Sequence, residues 1–148
     1  QSDKTYMDKH SYKVLDGTWK ISYASSKQYP IFTDEKEITE FRDVSKTLYP
    51  YKCGTFRYEK DFICEEELDD ALLYIEDAYE TVQVFLDQKD LGYRITPPYQ
   101  FPIEALSEGI HHLAIEVTNT LDKEIHDMFS LTETQEPSGI IGTVEIRK

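Results

Sequence analysis

Four histidines are the residues in this chain whose type most readily supports metal or acid–base chemistry. His111 and His112 are adjacent, so in a strand they point to opposite faces and cannot easily bind the same ion. His10 and His126 stand alone in the sequence. The spacing therefore predicts little metal chemistry, and we expect ordinary surface or packing roles for His10 and His126.

Two cysteines and one serine could support nucleophilic chemistry, but their contexts argue against it. Cys53 and Cys64 lack the CxxC spacing of a zinc site. A core of this size does not require a bridge between them, and we expect free thiols. Ser138 lies in PSGIIG, which is not the GxSxG pattern of a strand-to-helix nucleophile elbow. We predict no catalytic residue from these groups.

The elements that position these residues are mainly strands. Thr18 to Ala24 alternates in side-chain type, with Trp19 on the face that we expect to be buried. Thr81 to Leu86 also alternates, Asp87-Gln88-Lys89-Asp90 turns the chain, and Leu91 to Ile95 runs back, which predicts a β-hairpin.

Further segments show the same pattern with less regularity. Cys53 to Cys64 predicts a long strand, the acidic run Glu65 to Asp70 a charged connector, and Ala71 to Ile75 a short apolar strand. Glu37 to Val44 is compatible with a short strand or a helical turn. After a proline-rich stretch that cannot lie in a central strand, Ile103 to Leu106 is interpreted as one helical turn.

Size and composition fit a single all-β domain. At 148 residues with 13% aromatic side chains, the chain can bury its own core, and large rings favour strands. Short strands separated by turn signals, with almost no long helix, predict an antiparallel β-sandwich or jelly roll. We assign residues 1–15 to an N-terminal arm and residues 16–148 to one β-sandwich domain.

The net charge of −13 limits the classes of partner. A phosphate backbone or an anionic lipid surface would be repelled over most of the exterior, so we expect no nucleic acid and no membrane partner. No apolar run reaches the roughly 20 residues that a membrane span needs. The start, QSDKTYMDKH, is not a signal peptide and suggests a piece of a larger protein.

Several segments, in order, resemble a known family. CGTFRYEKDF is similar to the "SGT..Y...F" strand of the sugar-binding β-sandwich domain of glycoside hydrolase family 2 and of related bacterial glycosidases. EGIHHLAIEVTNTL resembles that domain's "GxNxLxIxVxNxL", and EPSGIIGTVEI its "SGLLGPVxL" terminus. The resemblance spans roughly Asp16 to Ile146. Two positions depart from it: the usual Asn-Gly turn is Asp87-Gln88, and the Asn of "GxNxL" is His111 or His112.

The resemblance implies a galactose-binding-like jelly roll that lies beside a catalytic domain of the same polypeptide. It implies an ancillary, non-catalytic role in a bacterial glycoside hydrolase, either supporting the catalytic domain or binding carbohydrate. The alternatives are a stand-alone structural or interaction domain without sugar binding, and a glycosidase with its own acid pair. The compartment stays open, with a secreted or periplasmic parent as one option.

Three kinds of side chain are candidates for a site in such a domain. A glycosidase needs two carboxyl groups roughly 5–9 Å apart, and the acidic connector is interpreted as solvated rather than catalytic. Exposed aromatic rings beside polar groups are typical of carbohydrate binding, and the candidates are Tyr93, Arg94 and Tyr99. Jelly rolls of this type often hold a structural calcium, with Asp34, Glu35 and Asp43 as candidate ligands. No other cofactor is expected.

Overall fold

The computed structural model describes residues 9–44, 48–49, 54–118 and 138–148. These residues form strands, turns and loops and contain no α-helix. Cys53 and His126, and therefore the predictions made for them, lie outside the described residues. The strands within these ranges, in chain order, are β1 Ser11–Val14, β2 Trp19–Ala24, β3 Thr33–Ile38, β4 Thr55–Cys64, β5 Leu68–Tyr79, β6 Thr81–Leu86, β7 Lys89–Arg94, β8 Tyr99–Leu106, β9 Gly109–Thr118 and β10 Gly139–Arg147.

The strands form two antiparallel sheets that pack as a sandwich. One sheet has four strands in the order β1-β10-β5-β8, and the other has six in the order β3-β2-β4-β9-β6-β7. Each sheet has an apolar face, which the sandwich buries against the opposite sheet. The predicted all-β antiparallel sandwich is thus confirmed.

The core lies between the sheets and is rich in aromatic side chains. Trp19 is 2% exposed and donates from Nε1 to the carbonyl oxygen of Leu15 at 2.9 Å, so its ring is buried with its polar group satisfied. Its predicted core position is confirmed. Phe56 and Tyr58 from β4 and Phe101 from β8 are fully buried in the same cluster.

Several assignments from the sequence were wrong, and the first concerns β8. Ile103 to Leu106 is not a helical turn but the end of that strand, because Tyr99, Phe101 and Ile103 alternate inward with period two. Pro102 is tolerated there because β8 is the edge of its sheet, where an unpaired N–H position costs nothing.

The second wrong assignment placed Leu68 to Asp70 in the charged connector, yet β5 begins at Leu68. Leu68 is buried against the core, while Asp69 and Asp70 are exposed. Asp70 has a φ of 61° and falls at a gap in the pairing with β8. Because Asp69 and Asp70 are both exposed, the side chains do not alternate at the start of β5, and the sequence gives no strand pattern there. The ambiguous stretch Glu37 to Val44 contains the end of β3 and, at Phe41, an isolated β-bridge to Gly142.

Candidate functional site

The outward face of the six-stranded sheet carries the most distinctive group of polar and aromatic side chains. Four residues lie in one cross-strand row, because Arg57 pairs with Glu116, Glu116 with Gln83, and Gln83 with Tyr93. Paired residues of antiparallel strands project to the same side. The row therefore crosses β4, β9, β6 and β7 on the face that points away from the core.

At the β7 end of this row is a small group that we name the Tyr93 platform: Tyr93, Gln83, Phe85 and Asp90. The Tyr93 side chain is 62% exposed, and Phe85 is half-buried on the same face. Asp90 accepts hydrogen bonds from the Gly92 N–H at 2.7 Å and from Gln83 Nε2 at 3.0 Å. These two bonds fix a carboxylate and an amide beside an exposed aromatic ring.

The β2–β3 loop lies against the same face and contacts the row beside the platform. Tyr29 Oη donates to Glu116 Oε1 at 2.6 Å. This hydrogen bond, together with burial, raises the pKa of Tyr29 to about 12. Phe32 of the same loop packs on the Arg57 guanidinium, with 5.4 Å between the guanidinium carbon and the ring centroid. The loop thus borders the platform on the β4 side.

Arg57 neutralises the acids under that loop. Its Nε lies 2.9 Å from Glu59 Oε2 and 3.7 Å from Glu116 Oε2. The Glu116 side chain is 7% exposed, so its charge needs the cation and the Tyr29 hydroxyl as partners. These contacts account for a buried carboxylate on an outward face without any ligand.

The structure does not bring the three predicted carbohydrate residues onto one surface. Arg94 points to the opposite side of β7 from Tyr93, and its guanidinium carbon lies 5.2 Å from the ring centroid of buried Phe101. Tyr99 is 4% exposed, and its hydroxyl lies 3.1 Å from the Ala78 carbonyl oxygen. Of the three, Tyr93 is the one that presents its ring to solvent.

Tyr99 borders an open groove of about 740 Å³ at one end of the sandwich. Tyr79, Ile95 and Pro97 also line this groove. Tyr79 Oη donates to Asp77 Oδ2 at 3.1 Å. The groove is a separate place from the Tyr93 platform, and Tyr99 acts there as a packed wall residue.

The three predicted calcium ligands each have other partners. Asp34 Oδ1 lies 3.0 Å from Lys36 Nζ, and Glu35 Oε2 lies 3.7 Å from Lys20 Nζ. Asp43 Oδ1 accepts the Ser138 N–H at 2.9 Å. Within the described ranges, no three His, Cys, Asp or Glu side chains are grouped to hold a metal ion.

The histidine pair separates as its adjacency predicted. His111 is 7% exposed, whereas His112 lies on the outward face. Both contact acids: His111 Nδ1 lies 2.6 Å from Asp87 Oδ2, and His112 Nδ1 lies 2.6 Å from Asp61 Oδ1. The Cys64 thiol is free, is buried, and lies 3.0 Å from the Glu66 carbonyl oxygen.

Comparison with known proteins gives similarity of structure but not of sequence. No family model matches the chain, and no curated protein matches it. Among solved structures, the chain is similar to a rhamnosidase from Novosphingobium sp. PP1Y, with a TM-score of 0.78 and 20% identity over 94% of this chain and 15% of that one.

Two further solved structures have the same sandwich. A GH2 β-galacturonidase from Eisenbergiella tayi has a TM-score of 0.67 and 16% identity over 95% of this chain and 24% of its own. A β-glucuronidase from Ruminococcus gnavus has a TM-score of 0.69 and 13% identity over 94% of this chain and 29% of its own.

These likenesses define the class of fold: a two-sheet antiparallel sandwich of the kind found as one part of larger glycosidase chains. The chain spans only 15–29% of the length of these three proteins. Among the described residues there is also no helix that is long and apolar enough to span a membrane.

Proposed function

We propose that this chain is a non-catalytic ancillary domain of a glycoside hydrolase and that it binds carbohydrate through the Tyr93 platform. The observation that carries the proposal is an exposed ring held beside a fixed carboxylate and amide on a sheet face. A pyranose ring offers a C–H face that packs on an aromatic side chain and hydroxyl groups that bond to polar neighbours. The similarity to parts of glycosidases supports the same class of ligand.

The charge of the platform favours a neutral sugar. Asp90 lies beside Gln83 on the outward face, and the chain as a whole carries a net charge of −13. A sugar carboxylate placed there would meet like charges. Two of the similar proteins are named for uronic acids, but we expect this platform to bind neutral glycans.

The first prediction is that Tyr93→Ala weakens glycan binding by about tenfold or more, because a ring at the centre of a small contact contributes over about 1.4 kcal/mol. The measurement is a titration of the ¹⁵N-labelled chain with neutral oligosaccharides, following amide shifts on β6 and β7. Tyr74→Ala is the matched control, since Tyr74 lies on the other sheet against Arg147. Equal losses in both variants, or no shifts across a broad glycan panel, would contradict carbohydrate binding.

A second candidate function is support of the catalytic domain by direct packing. Ile63 and Ile110 are cross-strand partners on the outward face, with exposures of 54% and 73%. A contiguous exposed apolar patch is typical of a surface that is covered by a neighbour, and this pair is the candidate centre of such a patch. The double substitution Ile63→Thr with Ile110→Thr should leave the isolated chain as stable as before but weaken its association with the rest of its parent. Retained association would exclude this pair as the contact.

An intrinsic glycosidase activity is the third and weakest candidate. Burial would raise the pKa of the Asp87 carboxyl, but hydrogen bonds from His111 and the His112 N–H together outweigh it and hold the pKa below its ordinary value. A general acid needs the opposite direction. Release of product from chromogenic glycosides, lost on changing one acid, would establish such an activity.

A further inference from the structure

The sequence departs from the motif that it resembles at Asp87-Gln88 and at His111 or His112, and the structure brings Asp87 into contact with both histidines. His111 Nδ1 lies 2.6 Å from Asp87 Oδ2, in the turn between β6 and β7. Its other ring nitrogen, Nε2, lies 2.7 Å from the Ser107 carbonyl oxygen, in the loop between β8 and β9. We name His111, Asp87 and Ser107 the His111 clamp. It joins two neighbouring connections at one end of the sandwich.

Both partners of the imidazole ring are hydrogen-bond acceptors. A backbone carbonyl can only accept, and an ionised carboxylate can only accept. A neutral imidazole has one N–H, so it can satisfy one of them and must face the other with a lone pair. The doubly protonated ring donates to both at once. The geometry of the clamp is therefore that of an imidazolium ion.

Asp87 is held in place to receive this charge. Its Oδ1 accepts the His112 N–H at 2.8 Å, and its own N–H donates to the His112 carbonyl oxygen at 2.8 Å. Its φ is 51° and that of Gln88 is 70°, which is a two-residue turn with both central residues in the left-handed region. The turn thus aims the carboxylate at β9.

Among the described residues, the neighbours of the pair include one aromatic ring and a second histidine. The Phe62 ring centroid from β4 lies 5.7 Å from that of His111. The His112 ring faces away and is bonded to Asp61 at 2.6 Å, with Glu59 at 3.8 Å. Burial alone would lower the pKa of His111, but the bonds to Asp87 and Ser107 outweigh it and raise the pKa.

We propose that His111 is a pH-sensitive clamp that fixes the β6–β7 turn to the β8–β9 loop while the imidazole is protonated and releases it on deprotonation. The hairpin held in this way also carries the Tyr93 platform, so the clamp regulates presentation of the platform. This last step depends on the proposed carbohydrate function, whereas the clamp itself does not.

The direction of the pH dependence follows from the two shifted groups. His111 has a raised pKa, so its contribution to stability is complete below its unfolded pKa of about 6.5 and is lost as pH rises through the folded value. Asp87 has a lowered pKa, so its contribution is complete above its unfolded pKa of about 3.9 and is lost as pH falls through the folded value. The clamp is fully formed in the weakly acidic window between them.

The clamp is tested by NMR titration of the histidine side chains from weakly acidic to weakly basic pH. We expect both ring nitrogens of His111 to be protonated in the weakly acidic window, with a titration midpoint above that of an ordinary histidine. Amide exchange at the turn, corrected for its intrinsic pH dependence, should accelerate by up to about tenfold for each pH unit between the unfolded pKa of about 6.5 and that midpoint, and should level off above the midpoint. A singly protonated ring in the weakly acidic window contradicts the proposal.

Variants separate the clamp from other sources of pH dependence. Asp87→Asn keeps a residue that suits the turn but removes the charge, so the midpoint of His111 should fall. His111→Gln should remove the pH response of the turn. His112→Gln is the matched control and should retain it, because that ring is not part of the clamp. An unchanged response in His111→Gln, or an unchanged midpoint in Asp87→Asn, would overturn the proposal.

The effect of the clamp on glycan binding is measured in a separate experiment. If the platform binds a neutral glycan, affinity in the wild type should decline as pH rises through the His111 midpoint, and His111→Gln should show the high-pH affinity throughout. If no glycan binds at any pH while the histidine titration behaves as expected, the carbohydrate function fails and the clamp stands. If His111 titrates as expected but the affinity for glycan does not change with pH, the clamp does not regulate the Tyr93 platform.

Discussion

The substitution Phe56→Ala is expected to lower the free energy of unfolding by about 3–5 kcal/mol, as is typical for removal of a fully buried phenyl ring. Phe56 is 0% exposed, and its ring centroid lies 5.4 Å from those of both Tyr23 and Tyr49. The loss combines the transfer free energy of the ring with the cavity left among these neighbours. For a domain of ordinary stability this is a large part of the total.

Urea denaturation, followed by tryptophan fluorescence from Trp19, measures the effect. The matched control is Phe85→Ala, which removes the same atoms from the outward face of the same sheet. We expect a loss of about 1 kcal/mol or less there, because a half-buried ring leaves no closed cavity. Equal losses would mean that the inward and outward faces are wrongly assigned.

That comparison rests on the part of the fold that the sequence predicted well. Period-two alternation places Trp19, Ile21 and Tyr23 on one face of β2, and the structure buries all three. The hairpin formed by β6 and β7 was likewise expected from alternation on both sides of a turn, and it is present, although the turn is only Asp87-Gln88 and β7 begins at Lys89 instead of Leu91. Alternation is a local signal, so it is visible without knowledge of the partner strands.

The mistakes arose where residues that usually break strands, such as proline and aspartate, occur at the edge or the end of a strand. The prolines before Ile103 argued only against a central strand, and β8 is indeed at a sheet edge, where a proline breaks no ladder; the error was to assign Ile103 to Leu106 to a helical turn. Asp69 and Asp70 argued for a connector, yet they lie at the exposed, irregular start of β5. Whether a strand is central or peripheral depends on long-range pairing, which a single sequence does not display.

The candidate site was predictable to a smaller extent. Tyr93 was identified from its type and context, but its partners were missed, because Gln83 and Asp90 meet it only through the register of β6 with β7. That register shifts between Val84 and Phe85. Arg94 and Tyr99 were selected for proximity in sequence and turn out to pack against Phe101 and the Ala78 carbonyl. Side-chain direction, set by pairing, decides which residues share a surface.

The substitution Gly139→Ala is expected to destabilise the chain by about 2–5 kcal/mol, from two separate causes. Gly139 has a φ of 88°, which is strained for any residue with a Cβ. The added Cβ would also collide with the Tyr58 hydroxyl, which is fully buried and accepts the Ile140 N–H at 3.0 Å. Moving the phenol leaves that buried N–H unpaired. The denaturation midpoint measures the combined loss.

Two comparisons separate the causes of the Gly139→Ala loss. Gly109 has a φ of 125°, and an alanine Cβ there would meet no described atom within 4 Å beyond its chain neighbours, so Gly109→Ala should show strain alone, at about 1–2 kcal/mol. Tyr58→Phe removes the colliding hydroxyl in advance. If the collision matters, the double variant should be less destabilised than the sum of the single ones, since the Ile140 N–H is lost only once. If the losses of the two single variants simply add, the destabilisation by Gly139→Ala comes from backbone strain at Gly139. The collision with the Tyr58 hydroxyl then contributes nothing measurable.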